Sequence, residues 1–529
     1  MKKVHELNFG FADAENYKRR ENKDLFNQVF IKNEYLEKLC DYSTSFLIGD
    51  KGTGKTAYAV YLSNNDYKGI SSEIKYIRET DYQTFITLKT DNHLKLSDYT
   101  QIWKISLFLL LSDKIKNTEK TWFNFWKFKA LQDSINEYYN NAFSPEILQT
   151  LNFVENSKQS AELMYEKFAK ASGESSSSKS YTASKFQMHL MFILRKFEEA
   201  ISQIRLEKDY ILFIDGIDIR PSDIPYDDYL ECIKGLANAI WSLNNDFFPT
   251  IKGGKGRCRI VLLVRPDIYN SLGLQNQNSK IKDNSVYLDW QTVYSNYRSS
   301  NIFKVADKLL STQQPTPQEF GFCWNYYFSW DAKNVENLSE SNQPTSFINF
   351  LRLSYHRPRD IITLLKTLQE KTPNNDSEKV SFTQSDFDSK DFQRDYSNYL
   401  LGELKDQLMF YYKEDDYNLF LKFFEYLNGK HKFNHQEYLV AYDRTIDFIK
   451  SSNTNIPKFM NTSNDFLQFL YELNVLCFIE KTLEGGKLHI HWCFKDRNYS
   501  NISPKVKLDV EYEVFYGLRK ALNLGKEFE

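Results

Sequence analysis

Short apolar runs alternate with longer helical patterns along this chain. Three of the runs, at residues 45–48, 209–215 and 259–267, are mostly apolar. The first is followed by a glycine, the second ends in an aspartate, and the third leads into an arginine-proline pair. Apolar runs of this kind are typical of strands that are buried on both faces of a parallel sheet. Because helical patterns separate them, the sequence predicts an α/β fold with a parallel sheet.

Weaker patterns add further elements. Strands are expected at 82–89 and 285–290, and helices are expected at 97–116, 226–244, 302–310 and 345–353. Towards the C-terminus, a helix at 465–473 precedes a strand at 475–481, a glycine turn at 484–487 and a strand at 488–494. This order of elements predicts a winged-helix-like domain.

These elements divide the chain into four parts. Residues 1–44 form an N-terminal entry segment, and residues 45–300 form the core that holds the parallel sheet. A helical insertion is expected within the core at about 118–205, where aromatic helical patterns flank a serine-rich tract at 172–180. Residues 301–383 are expected to form a helical lid, and residues 384–529 a helical and winged-helix-like C-terminal domain.

The first apolar run leads into a glycine-rich loop and then a helical pattern. Gly49, Gly54, Lys55 and Thr56 fill every fixed position of the phosphate-loop motif G-x-x-x-x-G-K-[ST]. Glycines permit positive φ, which turns successive N–H groups towards phosphate oxygens at a helix N-terminus. A glycine turn that matches by chance is the alternative, and the strand and helix patterns on either side argue against it.

The motif assigns a role to each of its residues. Lys55 is expected to contact the β- and γ-phosphates of ATP, and the Thr56 hydroxyl is expected to bind Mg²⁺. The predicted nucleotide-contacting residues of the loop are Gly49, Asp50, Lys51, Gly52, Thr53, Gly54, Lys55, Thr56 and Ala57.

The second apolar run ends in acids. Asp215 closes the run and Asp218 follows three residues later. In a parallel sheet the last carboxylate of such a strand emerges at the edge that carries the phosphate loop, where it holds Mg²⁺ through water. We therefore assign Asp215 to the metal and Asp218 to the attacking water or the metal shell. The alternative is a buried strand that ends in an ordinary turn aspartate.

Three arginines are candidates for sensing the nucleotide. Arg265 ends the third run and is predicted to contact the γ-phosphate, with a pair to the neighbouring Asp267 as the alternative. Arg357 and Arg359 flank Pro358, which fits the first turn of a helix. These two arginines are predicted to reach the nucleotide from the lid, with a solvated basic helix start as the equally weighted alternative.

Composition limits the function classes. The chain has 529 residues, with 68 Lys and Arg against 70 Asp and Glu, so any nucleic-acid contact must come from a local patch. Six scattered cysteines without a C-x-x-C pair argue against a zinc site or a disulfide framework. No apolar stretch is long enough to predict a secretory signal or a membrane span, so a cytoplasmic protein is expected.

Together the motifs resemble those of bacterial P-loop ATPases related to the STAND proteins. Asp215-Gly216-Ile217-Asp218 is similar to a NACHT-type Walker B motif, and Val264-Arg265-Pro266 is similar to the sensor motif of that class. Further residues that carry the resemblance are Phe9-Gly10 to Ala14, Gly52-Thr53-Gly54-Lys55-Thr56-Ala57, and Arg357-Pro358-Arg359-Asp360.

The resemblance implies an additional-strand P-loop NTPase core and a nucleotide-driven switch. Such a switch forms homo-oligomers or controls a separate effector or sensor protein, often in defence against phage or mobile elements. Gly216 replaces the usual catalytic glutamate, and Ile219 replaces an acid that often follows the second aspartate. Slow or partner-dependent hydrolysis is therefore expected.

Two rival functions remain open from the sequence. One is a DNA-handling ATPase of replication or transposition that binds duplex through its winged helix. Mixed charges around the expected recognition helix, including Asp465 and Glu472, favour a protein contact or an autoinhibitory role instead. The other is a module that holds nucleotide only for structure. Two histidine pairs, His431 with His435 and His489 with His491, lack a third ligand and are not interpreted as metal sites.

Overall fold

A computed structural model of the chain describes residues 1–77, 96–118, 191, 194–195, 197–220, 224–333, 343–372, 378–481 and 488–525. The chain divides into two compact units. The first, called the sheet unit here, comprises Glu34–Ile48 and Lys55–Val286. The second, called the terminal unit, comprises Met1–Asn33, Gly49–Gly54 and Tyr287–Glu529.

Helices and strands are numbered along the described residues. The helices are α1 (Lys23–Val29), α2 (Glu34–Leu39), α3 (Lys55–Asn64), α4 (Leu96–Thr118), α5 (Tyr226–Ser242), α6 (Pro266–Ser271), α7 (Gln277–Asn284), α8 (Asn301–Ser311), α9 (Phe322–Tyr327), α10 (Phe347–Leu353), α11 (Pro358–Glu370), α12 (Gln384–Phe387), α13 (Lys390–Met409), α14 (Glu414–Glu425), α15 (His435–Ser451), α16 (Ser463–Glu472) and α17 (Cys493–Asp496). The strands are β1 (Phe46–Ile48), β2 (Ile70–Tyr76), β3 (Asp209–Asp215), β4 (Cys258–Val264), β5 (Ser285–Tyr287), β6 (Lys432–Asn434), β7 (Leu476–Lys481), β8 (Leu488–His491) and β9 (Glu511–Val514).

The first five strands form one sheet in the order β2-β3-β4-β1-β5. β1 pairs with β4, β4 with β3, and β3 with β2, and each of these pairs is parallel. All side chains of β1 and β4 are buried, as are those of β3 from Tyr210 onwards. Burial on both faces explains the continuous apolar runs of these strands. The predicted α/β fold with a parallel sheet is confirmed.

The register brings three strand ends to one edge of this sheet. Ile48 at the end of β1 lies opposite Val264 at the end of β4, and Ile214 of β3 lies opposite Leu262 of β4. Because the strands are parallel, the residues that follow them emerge at the same edge. β4 lies between β1 and β3, so the third apolar run of the sequence separates the other two.

Two helices of the sheet unit pack closely through a glycine. A Cβ atom added at Gly235 of α5 would lie 2.6 Å from Tyr99 Cβ of α4, so only glycine permits this approach. The indole Nε1 of Trp103 on α4 donates to the carbonyl of Cys232 on α5 at 3.1 Å. This bond satisfies the polar atom of a fully buried tryptophan.

An aromatic core fills the first half of the terminal unit. Trp324 of α9 contacts Phe347 and Phe350 of α10, with ring centroids 4.8 and 5.0 Å apart. Phe303 of α8 lies 5.0 Å from Phe347 in the same cluster. The interlocking rings join α8 and α10, which were predicted, to α9, which was not.

A second sheet lies near the C-terminus of the chain. Its four strands follow the order β6-β9-β7-β8, and the β6-β9, β9-β7 and β7-β8 pairs are antiparallel. Helix α16 ends at Glu472, and β7 starts four residues later at Leu476. The predicted helix at 465–473 and strand at 475–481 are thus confirmed, while only the first part of 488–494 is a strand, because α17 begins at Cys493.

Most other predicted elements are also present, and the helix ends differ from the predicted ones by at most two residues. The helices predicted at 97–116, 226–244, 302–310 and 345–353 correspond to α4, α5, α8 and α10. The strand at 259–267 ends at Val264, because Pro266 lacks an N–H and begins α6. The strand expected at 285–290 ends at Tyr287.

Some predictions fall outside the described residues, and some strands were not predicted. The strand at 82–89, the serine-rich tract at 172–180, the glycine turn at 484–487 and most of the insertion at about 118–205 lie outside. β2, β6 and β9 were missed. In β2 the buried residues Ile70, Ser72 and Ile74 alternate with more exposed ones, but serine at the middle position weakens the apolar signal.

His431 and His435, which are four positions apart in sequence, lie in different elements. His431 precedes β6, whereas His435 is the first residue of α15, so the two do not share a helix face. Among the helices that the structure describes, none reaches the length and apolarity that a membrane-spanning helix needs.

Candidate phosphate-binding site

A short loop joins β1 to α3. β1 ends at Ile48 and α3 begins at Lys55. Within the loop, Gly52 has φ +88° and Gly54 has φ +95°, a region that side chains with a Cβ rarely enter. The Thr53 hydroxyl donates to the carbonyl of Asp50 at 2.8 Å, which closes the turn. The backbone therefore has the positive φ values that the glycine spacing predicted.

The start of α3 and the end of β3 meet in the sheet unit. The Thr56 hydroxyl donates to Asp215 Oδ2 at 2.6 Å, although 159 residues separate the two in sequence. Lys55 is also buried, and its ammonium favours the ionised form of Asp215. The structure thus brings together three residues that the sequence assigned to one site: Lys55, Thr56 and Asp215.

Burial disfavours the ionised form of Asp215. Desolvation, followed by the charge of Asp218, raises the pKa of Asp215 to about 6. The Thr56 hydroxyl, the Lys55 ammonium and the Gly216 N–H, which donates to Oδ1 at 2.8 Å, oppose this rise. A buried carboxylate with a pKa raised in this way is typical of a functional site.

Thr56 and Asp215 together are suitable ligands for Mg²⁺. They offer a hydroxyl and a carboxylate, which are the hard oxygen donors that Mg²⁺ prefers. Protein sites for this ion use one or two carboxylates and leave other positions to water and substrate phosphates. The described residues contain no group of three or more His, Cys, Asp or Glu side chains with metal-binding geometry, so this pair would act with phosphate oxygens rather than as a complete cage.

Gly216 follows Asp215 for a steric reason. Its φ is +88°, and a Cβ at this position would lie 2.4 Å from the carbonyl oxygen of Ile77. Ile77 N donates to the Asp215 carbonyl at 2.8 Å, so the backbone beside β2 is held tightly here. A glutamate cannot occupy this position without displacing that backbone. Asp218 is then the acid next to Asp215, and it is only partly buried.

Arg265 forms an ion pair with Asp267, as the alternative interpretation of the sequence predicted. Its Nε and Nη2 donate to the two carboxylate oxygens of Asp267 at 3.1 and 2.6 Å. The guanidinium is 4% exposed, and it follows β4 at the sheet edge where Asp215 emerges. Contact with a phosphate would require Arg265 to share or release Asp267, whose bidentate geometry resembles that of a phosphate pair.

In the terminal unit, arginines surround the loop residues. Arg357 Nη1 donates to the carbonyl of Lys51 at 2.8 Å, and Arg359 N donates to the carbonyl of Gly52 at 3.3 Å. Arg357 also forms two hydrogen bonds with the fully buried Asp360, at 2.9 and 2.7 Å. Asp360 outweighs the effect of burial and raises the pKa of Arg357, which therefore stays charged.

Arg359 has different partners. Its Nε donates to the carbonyl of Ala12 at 3.2 Å, and Nη1 lies 3.4 Å from Glu403. Its Cβ would lie 3.1 Å from a Cβ added at Gly52. Gly52 therefore permits both the turn and the close approach of α11. The arginine pair borders the loop as the sequence suggested, although both side chains have protein partners.

Further residues that contact the loop were not found from the sequence. Arg497 Nη1 pairs with Asp50 at 3.0 Å, and Lys51 pairs with Asp406 at 2.8 Å. Trp290 Nε1 donates to the carbonyl of Thr53 at 2.8 Å. Such pairs join positions hundreds of residues apart, and no local pattern identifies them. The sequence signal for these ion pairs was limited to two charged residues, Asp50 and Lys51, within the glycine motif.

The chain was compared with protein-family models and with curated proteins, and neither comparison gave a match.

Proposed function

We propose that this protein binds ATP with Mg²⁺ at residues 49–56 and Asp215, and hydrolyses it slowly. The observation that supports this most is the 2.6 Å hydrogen bond from Thr56 to Asp215. In P-loop NTPases, the threonine after the motif lysine and the aspartate at the end of a second strand hold the same ion. The order of the sheet, with β4 between β1 and β3, agrees with an additional-strand core.

Each residue has a defined task in this proposal. Loop N–H groups bind the phosphate oxygens, Lys55 neutralises the β- and γ-phosphates, and Thr56 and Asp215 hold Mg²⁺. Bound Mg²⁺ supplies charge that offsets the negative charge of the phosphates. Asp218 orients the attacking water, since Gly216 leaves no carboxylate at the position after Asp215. The missing carboxylate at position 216 explains why turnover should be slow.

We further propose that the nucleotide controls assembly or a partner protein. This part rests on the resemblance to STAND-related ATPases, with α8–α11 in the place of a lid and α16, β7 and β8 in the place of a winged helix. A DNA-binding role is disfavoured, because α16 (Ser463–Glu472) contains Asp465 and Glu472 but no lysine or arginine. A homo-oligomer or a separate effector is the expected partner, in anti-phage defence.

Hydrolysis of Mg-ATP tests the enzymatic part. We expect Lys55→Ala to abolish turnover and Asp215→Asn to retain ATP without cleaving it. Lys38→Ala and Asp246→Asn serve as matched controls, since both side chains are exposed in the sheet unit. Normal turnover by Lys55→Ala would refute the proposal, and stimulation by duplex DNA would favour the DNA-handling alternative. Sizing with ADP and with a non-hydrolysable ATP analogue tests the switch.

A further inference from the structure

A cavity of about 250 Å³ lies inside the terminal unit, away from the loop residues described above. Its walls come from the end of α10, one face of α13, the residue before β6 and the segment after β9. The wall residues relevant here are Leu353, Tyr396, His431, Tyr516, Arg519 and Lys520. None of them belongs to a motif of the proposed nucleotide site.

Positive charge dominates this cavity. Arg519 donates to Glu513 through Nη2 and to the carbonyl of Val514 through Nε at 3.0 Å, so its guanidinium is held in place. Lys520 is exposed and forms no ion pair with any residue that the structure describes. Its ammonium is therefore available to a ligand. Glu513 is an acid beside Arg519, and the two side chains already form an ion pair.

Aromatic rings of Tyr396, His431 and Tyr516 form part of the walls. The Arg519 guanidinium lies 4.4 Å from the centroid of the Tyr516 ring, so a cation and a ring face adjoin. Burial, followed by the charge of Arg519, lowers the pKa of His431. Tyr396 is 1% exposed, and its hydroxyl has no hydrogen-bond partner within the described structure.

Cations beside aromatic rings suit a ligand that combines an anionic group with a flat ring. The volume limits the ligand to about one ring and one charged group, since pockets for drug-sized ligands start near 300 Å³. A cationic ligand would be repelled, and a purely apolar one would leave Lys520 and Arg519 unused.

We propose that this cavity binds a small organic phosphate with a single ring, whose phosphate pairs with Lys520 and Arg519. This site is independent of the proposed ATP site, because it shares no residue with it. Its wall does adjoin the arginine segment: Tyr355, two residues before Arg357, stacks on Phe515 at 4.2 Å, and Phe515 precedes Tyr516. A ligand that contacts Tyr516 would therefore be linked to Arg357 through Phe515 and Tyr355.

Phenyl phosphate is the probe, titrated into the full chain by calorimetry. We expect binding in the wild type and unchanged affinity in Lys55→Ala, which removes the motif lysine of the other site. Lys520→Gln should weaken binding about fivefold or more, because one charge-assisted contact is lost. The control Lys505→Gln removes an exposed lysine outside the cavity walls and should have no effect. Inorganic phosphate should bind more weakly than phenyl phosphate.

Chemical labelling gives a second readout without a mutation. Phenyl phosphate should protect Lys520 from amine acetylation and leave Lys505 equally reactive, as measured by mass spectrometry. The proposal is overturned by any of three results: no binding at about 10 mM ligand, binding that disappears in Lys55→Ala, or equal effects of Lys520→Gln and Lys505→Gln. Loss of ATP binding in Lys55→Ala with retained phenyl phosphate binding would support both sites separately.

Discussion

Asp215 is the residue whose environment is most informative. It is 7% exposed, accepts a hydrogen bond from Thr56, and has a pKa near 6 because burial and Asp218 disfavour its charge. The sequence predicted that an acid ends this strand at the sheet edge. It did not predict the direction of the pKa shift, which depends on how completely the helix start and the sheet exclude water.

The raised pKa leads to a prediction about stability and pH. Because the folded pKa lies above the usual value of 3.8, the stability that this group contributes is present below that value and is lost as pH rises through about 6. Ionised Asp215 then costs about 3 kcal/mol without a bound cation. Asp215→Asn should raise the unfolding temperature at pH 8 by more than at pH 5, measured by calorimetry without Mg²⁺. A change that is equal at both pH values would contradict this.

The structure explains why a glycine, Gly216, stands where the resembling family usually has a catalytic glutamate. The acid expected after Asp215 is absent because the backbone has φ +88° and the Ile77 carbonyl occupies the space of a side chain. The Ile77 backbone that fills this space follows β2, which pairs with β3 and was not predicted. The glycine is therefore a structural requirement of this sheet edge.

Gly216→Ala tests that requirement. We expect it to lower the free energy of unfolding by about 1–3 kcal/mol, since both backbone strain and a contact with Ile77 oppose a Cβ. Gly402→Ala is the matched control: it lies in α13 with no atom within 4 Å of the added Cβ, so it should be neutral or stabilising. The unfolding midpoint in urea distinguishes the two. If Gly216→Ala were as stable as Gly402→Ala, the steric account would be wrong.

At the level of elements, the buried strands were the easiest to predict. β1, β3 and β4 are continuous apolar runs, and each ends close to the predicted position. Short strands with polar residues, such as β6 and β9, carry too weak a pattern, because two or three alternating side chains do not distinguish a strand from a loop. The start of α11 was readable because Pro358 fixes φ and lacks an N–H, whereas the start of α6 at Pro266 was missed, since Pro266 was included in the preceding strand.

A contact between Arg497 and the loop residue Asp50 supports the terminal unit. Arg497 is 5% exposed, pairs with Asp50 at 3.0 Å, and donates to the carbonyl of Glu472 at 3.0 Å. Arg497→Met should lower the free energy of unfolding by about 1–3 kcal/mol, because Asp50 loses an ion-pair partner and the Glu472 carbonyl loses a donor. Arg444→Met, at an exposed position of α15, is the control. Equal thermal unfolding of both variants would argue against a structural role for this pair.

At the scale of the whole molecule, sequence patterns predicted local elements but not long-range contacts. The expected entry segment 1–44 is divided at Asn33 between the two units, and Val4 N donates to the carbonyl of Lys379 at 2.9 Å. Contacts between residues so far apart in sequence depend on the complete fold. The pair of Arg497 with Asp50, which are 447 positions apart, is another example. The candidate site was predictable because its motif is local, while the residues that hold the loop were not.

Equilibrium binding of Mg-ATP to the purified chain, measured by calorimetry at pH 7.5 with Lys55→Ala and Lys38→Ala beside the wild type, tests the central claim most directly. We expect the wild type and Lys38→Ala to bind one ATP per chain with equal affinity. Lys55→Ala should bind at least about tenfold more weakly, because a buried ammonium no longer neutralises the phosphates. Equal affinity in all three proteins, or no binding by the wild type, would contradict the assignment of residues 49–56 and Asp215 to a nucleotide site.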